Sequence, residues 1–226
     1  MSFLELKDIC KTYGSGESEV KALKNINLNV NQGELIAVTG KSGCGKSTLL
    51  NIIGGLCLPS SGSYIFEGEK ISSYNQDKLA SFRNRNIGFV VQSFALINDM
   101  TIFDNIALPL KYARKKSSEI NEKIKNLADK LELSDKIDAF PPELSGGQCQ
   151  RAAIARAIAC DPRVLLADEP TGALDEQTGI NILNIFKSLN ANGITVILVT
   201  HDLEIASMCR RRIEMKDGAI ISDYIL

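Results

Sequence analysis

An excess of charge of either sign is missing from this sequence. Twenty-six lysines and arginines face 27 aspartates and glutamates across 226 residues, leaving a formal net charge of −1. Nonspecific nucleic-acid binding draws on a cationic surface that neutralises phosphates, so no nucleic-acid partner is expected. Long apolar runs are missing as well. Stretches such as "TVILVT" fall far short of the roughly 20 residues that span a bilayer. The chain is therefore not expected to enter a membrane by itself, although it could dock on one that another chain supplies. Six cysteines, Cys10, Cys44, Cys57, Cys149, Cys160 and Cys209, are scattered along it. With no CxxC pair and no Cys/His cluster they suggest neither a zinc site nor a disulfide framework. Reduced thiols in the cytosol are the simplest reading. The opening "MSFLELKDICKTYG" has no basic start followed by an apolar run, so no secretory signal is expected. There is no internal repeat, no low-complexity tract and a single histidine, His201.

What is present is the composition of an ordinary globular protein, 44% hydrophobic and 23% charged, with length enough for a full core. The first part reads as β-rich. "FLELKDI" and "INLNV" alternate apolar and polar residues, as half-buried strands do, and "SGSYIFEGEKI" reads as a hairpin. "ELIAVTG" is a short buried strand running into a glycine loop, with a helix from Lys46 to about Gly54. After the apolar strand "NIGFVVQ" the pattern becomes helical from about Ser93 to Ala159. Ile120, Ile124, Leu127 and Leu131 mark one face there, so this stretch reads as a helical lobe inserted between strands. "RVLLADE" and "ITVILVTH" are buried strands around the helix "GINILNIFKSLN". Near-continuous apolar strands alternating with helices predict a parallel sheet covered on both faces. "RIEMKDGAIIS" closes the chain as a hairpin with Asp-Gly at its turn.

"GKSGCGKST", residues Gly40, Lys41, Ser42, Gly43, Cys44, Gly45, Lys46, Ser47 and Thr48, matches the Walker A pattern in the strand–loop–helix setting that pattern needs. Its glycines let backbone N–H groups turn inward around phosphates. Lys46 would reach the β- and γ-phosphates, and the Ser47 hydroxyl would ligate Mg²⁺. "VLLADEP" is an apolar strand ending in Asp168. That carboxylate would lie at the carboxyl edge of the sheet beside Mg²⁺. Glu169 follows directly, placed to polarise an attacking water as general base. His201 ends another buried strand at the same edge, where it could touch a γ-phosphate or position water. Gln92 also ends a strand; its amide could touch Mg²⁺ or the lytic water, or be no more than a polar strand end.

A second helix start lies about a hundred residues on, in "PPELSGGQCQRAAIARAI". Ser145 sits at the N-cap and Gln148 completes a capping-box pattern. The dipole and free N–H groups of such an end suit a phosphate.

These motifs, "GKSGCGKST", "VVQ", "LSGGQ", "VLLADEP" followed by "ALD", and "TH", stand in an order that closely resembles the nucleotide-binding subunit of an ABC transporter over nearly the whole chain. The resemblance implies an α/β fold: a P-loop NTPase core with an antiparallel β-subdomain and an inserted α-helical subdomain. It forms one ABC ATPase domain over 1–226, with the core and β-subdomain in 1–92 and 160–226 and the helical subdomain and signature in 93–159. It implies Mg²⁺-dependent hydrolysis of ATP clamped between two subunits arranged head to tail. On that pattern Tyr13 in "KTYG" would stack on adenine, and Asp175 in "GALD" would lie in the D-loop that crosses to the partner. Leu144, Ser145, Gly146, Gly147 and Gln148 would close on the nucleotide held by the other subunit. "QSFALINDMTIFDNIALPL" and "ADEPTGALD", with Gly172 where many relatives have serine, resemble the MacB/LolD/FtsE branch in particular. Cys149, directly after the signature, departs from the usual basic or polar residue.

That branch implies an integral membrane permease as partner and a peripheral place on the cytoplasmic face of the cell membrane. The permease's coupling helix would sit between the lobes near Gln92–Asn105, where Phe94, Leu96, Ile97 and Ile102 could line a groove or simply pack the helical lobe. Export or mechanotransmission of peptides, antibiotics or lipoproteins is the leading expectation. A regulatory subunit of the FtsE kind, signalling without transport, and a soluble ABC ATPase without a membrane partner are the alternatives. Missing coiled-coil insertions and a single Walker A speak against the last.

Overall fold

The computed structural model describes residues 2–225. Strands β1 (Leu4–Tyr13), β2 (Val20–Val30), β4 (Ser61–Phe66) and β5 (Glu69–Lys70) form a four-stranded antiparallel sheet in the order β2-β1-β4-β5. A six-stranded sheet collects β3 (Leu35–Thr39), β6 (Ile87–Val91), β7 (Val164–Asp168), β8 (Thr195–Val199), β9 (Arg211–Lys216) and β10 (Ala219–Ile225) in the order β10-β9-β3-β8-β7-β6. All its neighbours are parallel except the terminal β9–β10 hairpin, so the expected buried parallel sheet carries one antiparallel edge.

Strand alternation sorts the core into two layers. From β3, Leu35 and Ala37 point into one apolar cluster and Ile36 and Val38 into another. In β8, Val196 and Leu198 join the first cluster and Ile197 and Val199 the second. A two-residue period on strands buried on both sides produces this division. The second cluster is closed by helix α1 (Lys46–Ile53), by Leu79 and Phe82 of α2 (Gln76–Asn86), and by the antiparallel sheet. The first cluster is closed by α3 (Ile102–Tyr112), α4 (Ser117–Lys130), α5 (Gly146–Ile158), α6 (Glu176–Ala191) and α7 (Leu203–Ser207).

Residues 93–159 hold α3, α4 and α5 and no strand. Ile120, Ile124 and Leu127 of α4 and Leu131 just beyond it are buried together, as their helical spacing predicts. Their cluster continues without a break into Val90, Leu165 and Leu198 of the large sheet. Alanine dominates α5 because alanine combines high helix propensity with small volume. Ala152, Ala153, Ile154 and Ala155 are all fully buried. Gly88 of β6 lets α5 come close: a Cβ there would lie 2.5 Å from the Ala157 carbonyl oxygen.

Candidate functional site

The loops that leave the carboxyl ends of the parallel strands carry most of the expected site. Register pairs Val91 with Asp168 and Asp168 with Val199, so Gln92, Asp168, Glu169 and His201 emerge at one edge. The loop Gly40–Gly45 leaves β3 at that same edge. Ligand crevices in open α/β sheets form there.

Gly40 adopts φ 147°, and a Cβ would stand 2.3 Å from the Met215 carbonyl oxygen. Gly45 adopts φ 105° and would meet the Ala22 carbonyl oxygen at 2.6 Å. The loop is therefore wedged between β9 and β2, and the Gly218 N–H donates to the Cys44 carbonyl at 3.1 Å. Cys44 itself is buried. Gly45 caps α1 without any side chain accepting from the first helical N–H groups, which leaves them turned toward the loop. Lys46 is 8% exposed, and its ammonium donates to the carbonyls of Gly40 at 2.8 Å and Lys41 at 3.0 Å.

Glu169 occupies left-handed backbone at φ 49°, a conformation that costs a non-glycine residue and so asks for anchors. Two are present: its N–H donates to the Val199 carbonyl at 3.0 Å, and its own carbonyl accepts from Gly172 at 3.1 Å. The turn brings its carboxylate to 2.9 Å from His201 Nδ1. Carboxylate and imidazole are thus held together at the edge where Asp168 ends β7. Gln92 packs over the same turn. A Cβ on Gly172 would lie 2.7 Å from Gln92 Nε2, so the glycine at this position makes room for the glutamine amide.

The signature end is built differently. Ser145 Oγ accepts from the Gln148 N–H at 3.3 Å, and Gln148 Oε1 accepts from the Ser145 N–H at 2.9 Å, completing the capping box that the spacing predicts. Gly146 and Gly147 follow as the first helical residues. A Cβ on Gly147 would lie 2.7 Å from Thr178 Cγ2, so this glycine lets α5 meet the start of α6. Asp175 caps α6 by accepting from the Thr178 N–H at 3.0 Å. The Thr178 hydrogen bonds hold the Asp175 carboxyl below the usual carboxylate range. Ser145, Gly146, Gly147 and Asp175 share a cavity of about 250 Å³, while Leu144 is half-buried against the core.

Tyr13, at the end of β1, is 42% exposed. Its hydroxyl lies 3.8 Å from Cys57 Sγ, and the Lys11 ammonium sits 5.0 Å from the ring centroid. Partial burial and Cys57 push the phenol up from its ordinary range. Its ring is available for stacking, and it stands with Thr48 as a neighbour. Within the stretch 92–105, Phe94 and Leu96 are half-buried and Ile97 is exposed. Ile102 is fully buried, and the Asn105 amide donates to the carbonyls of Ile97, Met100 and Thr101 while its oxygen accepts from the Ile97 N–H. A larger groove, about 1220 Å³, opens nearby between α2, β6 and the ends of α3 and α5. Arg83, Arg85, Arg114, Lys115 and the exposed Tyr112 are among its walls.

Arg156 is a contributor that residue patterns did not reveal. From α5 its guanidinium donates to the carbonyls of Ala95 at 2.6 Å and Phe94 at 3.0 Å. Those two residues have consecutive left-handed φ values of 62° and 50°, and Arg156 holds the turn they make just beyond Gln92. Burial lowers its pKa. An arginine inside an alanine-rich helix reads only as a solubilising residue until the turn opposite it is known.

Comparisons with known proteins agree with this fold. The ABC transporter family profile matches residues 23–172, more than half of the chain. A macrolide export ATP-binding/permease protein, MacB of Campylobacter jejuni, is 48% identical over 96% of this chain but only 33% of its own length; the chain thus spans about a third of such relatives. An uncharacterised ABC transporter ATP-binding protein of Methanocaldococcus jannaschii, MJ1508, is 42% identical over 96% of this chain and 97% of its own. Among solved structures, a dimeric ABC transporter cassette, MJ0796, superposes with a TM-score of 0.91 at 42% identity, covering 99% of this chain and 98% of that one. A second structure of that cassette, 41% identical with the same TM-score, is described as a dimeric post-hydrolysis state bound to ADP and Pi.

Proposed function

The chain belongs to the ABC transporter family, and on that premise we propose that it is the ATP-hydrolysing motor subunit of a MacB-like export or mechanotransmission complex. The observation that carries the reading is the Glu169–His201 pair, 2.9 Å apart, at the sheet edge shared with the Lys46 loop. In this reading Lys46 leaves the carbonyls of Gly40 and Lys41 for the β- and γ-phosphates, and the uncapped N–H groups of α1 take the remaining phosphate oxygens. Glu169 accepts a proton from the attacking water as the water oxygen bonds to the γ-phosphorus and the bond from that phosphorus to the β–γ bridging oxygen breaks, ADP taking the electron pair as it leaves. His201 keeps the carboxylate oriented and donates toward the γ-phosphate. The hydroxyl of Ser47, the Gln92 amide oxygen and the Asp168 carboxylate are hard oxygen donors of the kind Mg²⁺ accepts alongside water, with Asp168 acting through water. Bound there, the ion would neutralise charge on the β- and γ-phosphates.

Two copies close head to tail. The signature end, Leu144 to Gln148, meets the triphosphate held by the other copy's Walker A loop, and Asp175 lies where the copies cross. Tyr13 stacks on the adenine. A membrane permease receives the closing motion at the cytoplasmic face of the membrane, through a segment seated in the groove walled by Arg83, Arg114 and Tyr112. Among the described residues no helix is long and apolar enough to cross a membrane. Glu169→Gln tests the reading. Loss of the general base should slow hydrolysis at least about 100-fold while ATP binding persists, and an ATP-bound dimer should accumulate in size exclusion with light scattering. Unimpaired hydrolysis by this variant would remove Glu169 from the mechanism.

A further inference from the structure

Two buried side-chain polar atoms without a protein hydrogen-bond partner occur among the described residues, Gln150 Oε1 and Arg151 Nε. They belong to adjacent residues, one position beyond the end of the signature. Unpaired buried polar groups are scarce in folded proteins because they forfeit their hydration. A pair of them at one place on one helix therefore asks for an explanation. Gln150 is fully buried. Its other amide atom is strongly engaged: Nε2 donates to the Pro170 carbonyl at 2.6 Å.

Pro170 is the residue after Glu169. Having no N–H, it offers the backbone only that carbonyl, and Gln150 takes it. The segment it anchors is short. Glu169 stands in left-handed backbone, and Gly172 closes the turn on Glu169. Asp175 then caps α6. Gln150 thus joins the helix whose first residues form the signature to the turn that aims Glu169 at His201. Small displacements of a general base are costly: about 1 Å of misplacement can lower a rate on the order of 100-fold.

We propose that Gln150 is a positioning residue that reports engagement of the signature end to Glu169, so that closure on the nucleotide held by one copy sets the base acting on the nucleotide held by the other. Gln150 Oε1 has no protein partner in this arrangement and can take one in another. When α5 shifts on closure, the side chain exchanges its partners, and the turn at Glu169 moves with it. The inference rests on the proposed function, because it needs a dimer with two hydrolysing sites.

Gln150→Met keeps the length and volume of the side chain and removes both the donor and the stranded acceptor. It leaves the buried Pro170 carbonyl without its donor, so its melting temperature should fall by up to about 10 °C while the fold persists. ATP affinity of the monomer should be unchanged. Steady-state hydrolysis should fall about 10- to 100-fold in kcat rather than in KM. Its dependence on ATP should lose sigmoidicity, the Hill coefficient dropping from a value approaching about 2 in a two-site dimer toward about 1. Gln150→Leu, which also lacks the donor and buries no charge, should show the same loss and serves if the first variant folds poorly. Wild-type kcat and Hill coefficient in either folded variant would overturn the inference and leave the functional reading standing. Absence of hydrolysis by the unsubstituted chain would overturn both.

Discussion

At the start of α1 the cap is Gly45, in left-handed backbone with no side chain to take the first helical N–H groups. At the start of α5 the cap is Ser145, whose hydroxyl already accepts from Gln148 while Gln148 returns a bond to Ser145. Both are glycine-rich helix starts, and both carry the positive end of a helix dipole. They differ in what satisfies the backbone. The first leaves its donors for an anion and keeps a lysine in reserve on its own carbonyls. The second takes up the Gln148 N–H with its own serine and opens on a small cavity shared with Asp175. A standing phosphate cradle and a self-capped end that engages only when a second chain presents a nucleotide are the two roles this difference supports. On the proposed function, one site holds ATP in a single chain and the other adds affinity only in the dimer.

Substitutions should separate the two ends. The largest effect is expected at the first. Lys46→Ala removes a charge-assisted hydrogen bond worth about 1.5–3 kcal/mol, so ATP affinity measured by titration with a fluorescent nucleotide should fall about 10- to 100-fold in the monomer. Equal affinity in the variant would break the comparison at its root. At the second end, Gly147→Ala brings a methyl group against Thr178. Monomer affinity should stay at its wild-type value while ATP-driven dimerisation in the Glu169→Gln background weakens. Thr178→Ser, which removes the methyl that the new Cβ meets at 2.7 Å, should restore part of it. Ser145→Ala should lose about 1 kcal/mol of helix capping and weaken the same dimer without touching monomer affinity. Any loss of monomer affinity would show that the two ends share one nucleotide within a chain.

The smallest effect is a pH dependence. Thr178 holds the Asp175 carboxyl below its ordinary range. A depressed folded-state value means that this stabilisation is complete above the ordinary aspartate pKa of about 3.9. It is lost as pH falls through the lowered value. The melting temperature of Asp175→Ala should therefore lie below that of the unsubstituted chain at neutral pH, and the gap should narrow on acidification. A gap that widens in acid would contradict the capping bond.

Much of this was legible in residue patterns. Alternation and short apolar runs mark the strands, and the Asp217–Gly218 turn marks the last hairpin. The capping box at Ser145 is readable because it depends only on residues three apart. Helix α2 escaped notice because only Leu79 and Phe82 of its eleven residues are buried, too few to draw a periodic stripe. Helix α7 spans just five residues. The contributions of Arg156 and Gln150 were not legible, because each acts on a carbonyl that folding brings to it from far along the chain, across 61 residues to Ala95 and 20 to Pro170. The fold of Gln92–Asn105 was not legible either, because the Asn105 amide ties that stretch back onto the start of α3.

The account turns on the two ends acting on one nucleotide from different chains. Two defective chains can test that directly, each in the Glu169→Gln background. One carries Lys46→Ala and lacks the first grip; the other carries Ser145→Arg and lacks the second. Neither should dimerise with ATP alone. Mixed, they should form a heterodimer, seen by size exclusion with light scattering, because one intact site is assembled from the Walker A loop of one chain and the signature of the other. A mixture that stays monomeric while the Glu169→Gln chain dimerises would contradict the account.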